Sequence, residues 1–97
     1  MQFTVETPYE TYEQCTYSVK QYNNKHVAVQ LFCEDGPLAT LTVNVTGIER
    51  FPENCSCIDT NNCPWGEELV ERLGIATFTG SYLHSGFCTY PVYEFSI

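Results

Sequence analysis

Ninety-seven residues, 43% hydrophobic and 14% aromatic, suffice for one core but not two, and that apolar content excludes a disordered chain. Twelve carboxylates against four Lys and Arg give a formal charge of -8 at pH 7. Such a surface repels nucleic-acid phosphates and anionic lipid headgroups, so no direct nucleic-acid or membrane binding is expected.

The whole chain, residues 1–97, is therefore read as a single domain. Met1 opens a mixed segment lacking the basic, apolar and small-residue regions of a secretory signal. This predicts a cytoplasmic protein whose six cysteines, at positions 15, 33, 55, 57, 63 and 88, stay mostly reduced. In a secreted chain the same even count would instead predict a disulfide-stapled binder, and the sequons at Asn44 and Asn54 would then matter. No apolar run approaches the length of a membrane-spanning helix.

Tyr12, Cys15, Tyr17, Val19 and Tyr22 fall mostly two apart, which predicts a strand with one buried face. Asn23-Asn24 supplies the turn into a second run, His26 to Cys33, that is apolar on both faces and so predicted to lie centrally. Glu34-Asp35-Gly36-Pro37 then joins it to Leu38–Val45 as a hairpin. In that third run Leu38, Thr40, Thr42 and Asn44 alternate with Ala39, Leu41, Val43 and Val45, which puts the Thr and Asn side chains on the more polar face.

Periodicity fades from Thr46 to Asn62, apart from a short apolar stretch from Cys55 to Asp59. Asn61 or Asn62 is then a candidate N-cap, with Pro64 at an early helical position, Glu67 and Glu68 in the first turns and Gly74 closing the pattern. Trp65, Leu69, Val70 and Leu73 share one face of that helix, leaving Glu67, Glu68 and Glu71 toward solvent. The tail reads as a run over Ile75 to Thr79, a loop carrying Gly80-Ser81-Tyr82 and Ser85-Gly86, and a closing run Thr89 to Ile97 whose Pro91 marks an edge or a strand start. The fold class is α+β: an antiparallel sheet of about four to five strands with one short amphipathic helix packed on it.

Several stretches resemble a bacterial family of small proteins classed as a domain of unknown function. They are Leu41-Thr42-Val43-Asn44-Val45, Ile58-Asp59-Thr60-Asn61-Asn62, Ser85-Gly86-Phe87-Cys88-Thr89-Tyr90-Pro91 and Tyr93-Glu94-Phe95. The resemblance implies cargo of conjugative elements, plasmids and prophages, whose small acidic accessory proteins are often counter-defence factors. It thus implies an anti-CRISPR inhibitor in the bacterial host's cytoplasm, with an anti-restriction DNA mimic as an alternative. Cys88 belongs to the resembling segments, whereas Cys55, Cys57 and Cys63 depart from the family's pattern.

Cys55, Cys57 and Cys63, joined by Cys88 or His84, offer soft ligands for tetrahedral zinc. Their spacing is not that of paired CxxC motifs, and buried thiols or a redox-sensitive pair account for them as well, so no cofactor is expected. A zinc-stabilised or redox-responsive accessory module is the alternative. His26 and His84 are the only histidines, and a Cys-His nucleophile would need one of them beside a thiol such as Cys88. No nucleophile elbow, zincin motif or glycine-rich phosphate loop is present, so no enzyme is expected.

Asp59-Thr60-Asn61-Asn62 reads as a turn in which side chains satisfy backbone amides, and Ser85 to Pro91 as a turn whose aromatic seeks a core. The remaining candidate is an acidic, partner-facing patch of Glu49, Glu53, Asp59, Glu67, Glu68 and Glu71. Charged helix faces are ordinarily just solvated, and exposed tyrosines nearby would turn this one toward recognition. The partner expected is a protein with a basic surface, such as the nucleic-acid channel of a host CRISPR nuclease.

Overall fold

A computed structural model describes residues 2–22, 26–45 and 54–96. They form eight strands and one helix: β1 Phe3–Glu6, β2 Thr11–Gln21, β3 Val27–Cys33, β4 Gly36–Thr40, β5 Thr42–Val43, β6 Cys55–Ile58, α1 Gly66–Leu73, β7 Ala76–Ser85 and β8 Cys88–Phe95. The α+β class with a single short helix stands, but the expected sheet of four to five strands is two antiparallel sheets of four. Their strand orders are β1-β2-β3-β4 and β5-β6-β8-β7.

The first sheet is built from neighbours in sequence. The alternation through Tyr12 to Tyr22 becomes β2, and the doubly apolar run becomes β3, which lies between β2 and β4 as predicted. Backbone bonding from Tyr22 to His26 (2.9 Å) closes the β2–β3 pair, although the Asn23-Asn24 turn itself lies outside the described residues. The β3–β4 turn falls on Glu34-Asp35, with Cys33 opposite Gly36 at φ +124°, a conformation that favours glycine. The segment before Tyr12 adds an unpredicted strand: Phe3 and Val5 of β1 are buried, and their ladder to β2 is broken by a bulge where Gln14 takes φ +55°.

The run Leu38–Val45, expected to be one strand, changes sheets in its middle. Leu41 donates its N–H to Val29 O in the first sheet (2.9 Å), and its carbonyl accepts from Asp59 N at the end of β6 (2.9 Å). Thr42, placed on the polar face by its alternation, is instead buried at 3% exposure. The cause is a missing strand partner. Val29 N–H, left without a backbone acceptor where the chain departs, donates to Thr42 Oγ1 (3.1 Å), which also shares a hydrogen bond with the Tyr22 hydroxyl (2.9 Å).

The two sheets and the helix share one apolar core: Val5, Cys15, Val29 and Leu31 from the first sheet meet Ile58, Leu69, Val70, Tyr93 and Phe95. Helix α1 begins later than predicted. Trp65 is its N-cap, without a side-chain bond, because Asn62 is already committed to Asp59. Pro64 accordingly lies in the turn before the helix. Gly74 at φ +70° ends the helix, with Gly74 N donating to Glu71 O and Ile75 N to Val70 O, each at 3.1 Å.

Gly80-Ser81-Tyr82 is not a loop but part of β7, where Phe78 faces Tyr93 and Tyr82 faces Pro91, leaving a bulge between them. Gly80 takes φ +89°, and Thr79 Oγ1 donates to Val92 O (2.9 Å) while accepting from Ser81 N (3.2 Å). Pro91 consequently sits inside β8, between two neighbouring strands, rather than at an edge. Its missing N–H is tolerated because the β6 ladder reaches only to Val92 and the bulge loosens the β7 side.

Two substitutions test these packing claims. Thr42→Val keeps shape but removes the acceptor of Val29 N–H, and it should lower stability by about 1–3 kcal/mol while Thr42→Ser loses less. Equal urea midpoints for wild type and Thr42→Val would show that the bond is dispensable. Alanine normally strengthens a helix by about 1 kcal/mol over glycine. At Gly66, however, a Cβ would stand 2.8 Å from Ile58 Cγ2 and 2.9 Å from Leu41 Cδ1. Gly66→Ala is therefore expected to destabilise by about 1–3 kcal/mol through overpacking, and a raised melting temperature would contradict that contact.

Candidate interaction surface

Alternation along β8 sorts the second sheet into two faces. Tyr93, Pro91 and Thr89 share one face with their cross-strand partners Phe78, Tyr82 and His84. Tyr90 and Val92 share the other with Leu83 and Cys57. The first of these faces carries the acidic helix.

Tyr93 is almost fully buried at 1% exposure, yet its hydroxyl reaches Oε1 of both Glu67 and Glu71, each at 3.0 Å. A buried phenol must find an acceptor, and two carboxylates one helical turn apart provide it. Burial first, and then the two carboxylates, push the Tyr93 hydroxyl above the usual tyrosine range. Glu67 is thereby half-buried rather than directed simply to solvent, while Glu68 and Glu71 are exposed. Glu68 pairs with Arg72 (3.2 Å), whose guanidinium also donates to Thr4 O of β1 (2.7 Å).

The aromatic row continues outward from Tyr93. Phe78 lies 5.6 Å from the Tyr93 ring and 5.3 Å from Tyr82, the second contact being edge-on. Phe78 and Tyr82 are 36% and 56% exposed. Phe87, expected to seek the core, is instead fully exposed in the turn between β7 and β8, because the hairpin reverses there with Gly86 at φ +61° and leaves its side chain nothing to pack on. The surface thus presents Glu67, Glu68 and Glu71 beside Phe78 and Tyr82. No periodicity could have revealed the aromatic part, since both faces of β7 are largely exposed.

The rest of the predicted patch separates from it. Asp59 is buried at 9% exposure, its Oδ1 accepting from Asn62 N (3.3 Å) and its Oδ2 from Asn62 Nδ2 (2.9 Å). The turn reading of Asp59 to Asn62 therefore accounts for its carboxylate, which does not face outward. Glu49 and Glu53 lie outside the described residues. A second acidic locus escaped the sequence reading: Glu10, Glu13, Glu34 and Asp35 line a cleft of about 320 Å3 where the β3–β4 turn meets the start of β2. Its two pairs, Glu10 with Glu13 and Glu34 with Asp35, are far apart in sequence, so only the sheet brings them together.

The cysteines do not converge as a zinc set. Cys55, Cys57 and Cys88 belong to a cluster with Val45, Tyr90 and Val92 on the far face of the second sheet, whereas Cys63 packs into the main core and donates its thiol to Thr40 O (3.8 Å). Among the described residues no three His, Cys, Asp or Glu side chains are placed to hold one metal ion. His84, bonded to Thr89 Oγ1 through Nδ1 (2.9 Å), faces away from Cys88, because the pairs His84–Thr89 and Ser85–Cys88 alternate across the hairpin. His26 is buried at the start of the first sheet.

All six cysteines are unpaired. Burial pushes the Cys57 thiol up to about 11, and burial with the nearby Asp59 charge does the same for Cys63. Unfolded thiols titrate at about 8.5. Between those values the folded chain keeps protons that the unfolded chain has lost, so the stability contribution is complete below about pH 8.5 and disappears as pH rises through the folded values. Tyr90, raised to about 12 by the Cys88 sulfur at its hydroxyl and by burial, acts in the same direction at higher pH. The urea midpoint should accordingly be lower at about pH 10 than at about pH 8, and an unchanged midpoint would contradict this linkage.

No curated protein and no solved structure matches the chain. Among the described residues, no helix is long and apolar enough to cross a membrane. Residues 16–97, from the middle of β2 through the whole aromatic and acidic face, match a family described as a domain of unknown function, DUF4313, and the chain belongs to that family.

Proposed function

We propose that this chain is a protein-binding module that docks onto a basic surface of a partner through Glu67, Glu68 and Glu71 together with Phe78 and Tyr82. The observation that carries this reading is the continuity of the row: Glu67 and Glu71 bond to Tyr93, Tyr93 contacts Phe78, and Phe78 contacts Tyr82. Exposed aromatics supply contact area at low entropic cost, while flanking carboxylates select a cationic partner. The overall charge of -8 adds long-range steering toward such a partner.

In its narrowest form the reading is a counter-defence inhibitor carried by a mobile element, an anti-CRISPR protein occupying the basic nucleic-acid channel of an RNA-guided nuclease. Support for that narrower form is the charge balance together with the mobile-element setting that the sequence resemblance implies, and the partner is a protein rather than nucleic acid or a membrane. Binding energy, rather than a reaction, would then be the functional output.

Association with a panel of RNA-guided nucleases and restriction endonucleases, followed by biolayer interferometry, should be strong at low ionic strength. It should weaken steeply as the Debye length shrinks from about 10 Å at 0.1 M salt to about 3 Å at 1 M. Glu68→Lys should slow association several-fold, and Tyr82→Ala should speed dissociation; neither side chain supports the core, so circular dichroism should remain native. Absence of binding to every member of the panel at low salt would remove the nuclease reading. Binding indifferent to both variants would remove this surface.

A further inference from the structure

A second recognition surface lies at the margin of the first sheet. Thr7 folds the β1–β2 connection into a tight turn: its N–H and its Oγ1 both donate to Glu10 O (2.9 and 2.8 Å), and Thr7 Oγ1 accepts in turn from Tyr9 N (3.3 Å) and Glu10 N (3.0 Å). The turn holds Tyr9 out at 97% exposure. Tyr9, Tyr12, Trp65, Pro8, Pro64 and Leu38 line a cleft of about 320 Å3 between this turn, β4 and the approach to α1.

That aromatic cleft adjoins the acidic cleft of Glu10, Glu13, Glu34 and Asp35, because Tyr12 lines both. The nearby Glu10 carboxylate is the main cause that raises the Tyr12 hydroxyl above the usual tyrosine range. One ring therefore borders both the apolar and the acidic half. Among the described residues no Lys or Arg lines either cleft, so none of them compensates the charge of the acidic half.

We propose that these joined clefts bind an extended, proline-containing peptide segment whose arginine enters the acidic half. A polyproline II ligand presents flat apolar ridges that fit between aromatic rings, and its preformed backbone loses little entropy on binding. Trp65 lines the cleft and its indole N–H is a donor suited to one of the unpaired carbonyls such a ligand carries. The carboxylates then specify a cation, and guanidinium suits paired carboxylates better than ammonium does. The acidic residues alone would not define a ligand; their junction with the aromatic cleft does. This surface uses none of the residues assigned to docking above.

Trp65 is the only tryptophan, so its emission reports occupancy directly. The full chain is titrated with a short synthetic peptide of alternating prolines flanked by arginine, and with versions in which arginine becomes citrulline or the prolines become alanine. Saturable emission change with the parent peptide is expected, at least about tenfold weaker with citrulline, equivalent to about 1.4 kcal/mol. The alanine version and Tyr9→Ala should abolish it, and E34Q combined with D35N should match the citrulline loss. Tyr9→Ala removes only an exposed ring, so a native circular dichroism spectrum keeps that result interpretable. Glu68→Lys and Tyr82→Ala should leave peptide affinity unchanged, separating this surface from the docking face. No emission change at millimolar peptide, equal affinity for the citrulline version, or a loss caused by Glu68→Lys would each overturn the proposal.

Discussion

At Leu41 and Thr42 the chain bonds to both sheets within a single step, and the rest of the architecture follows from that crossing. Leu41 N–H completes the first ladder and Leu41 C=O begins the second. With both backbone groups satisfied, the side chain can remain fully buried between the layers. Thr42 supplies the oxygen that the departing strand takes away from Val29. Gly66 must then pass close to the same point, against Leu41 and Ile58, which places the start of α1 and therefore its row of carboxylates.

The position of the helix links packing to the proposed docking surface. Leu69 and Val70 fill the core, and the opposite flank of the same short helix brings Glu67 and Glu71 over the Tyr93 hydroxyl. A buried phenol thus fixes the orientation of two surface carboxylates, lowering the entropy they would lose on meeting a partner. The joined clefts at the first sheet are built differently: a turn ordered by Thr7 displays Tyr9, and the Tyr12 ring lines both the aromatic and the acidic half. In both places a tyrosine stands where apolar surface meets carboxylates.

Local rules read well where neighbours in sequence are neighbours in space. The β2–β3 and β3–β4 pairs, the central position of β3 and the existence and polarity of α1 all follow from alternation, turn chemistry and helical spacing. Alternation places Thr42 on the polar face because it assumes an uninterrupted strand, and a switch of sheets leaves no mark on hydrophobicity. Pro91 suggested an edge because the bulge that accommodates it is formed by Thr79 to Ser81, on a different strand. β1 shows only two inward apolar residues, too short a pattern to stand out. Of the proposed surfaces, the helix carboxylates were legible, whereas Phe78, Tyr82 and the Glu10–Asp35 grouping depend on cross-strand registers that the sequence does not state.

The irregularity in β7 bears on how copies of the protein behave in a crowded solution. A ten-residue border strand with protruding aromatic rings would ordinarily invite another chain to extend the ladder, the first step toward fibrillar assembly. Three residues opposed to one, with Thr79 folding its hydroxyl back onto Val92, throw such an incoming strand out of register halfway along. The same kink that accommodates a proline next door therefore protects the molecule from polymerising on itself, and lets sticky side chains stay on display without becoming a liability.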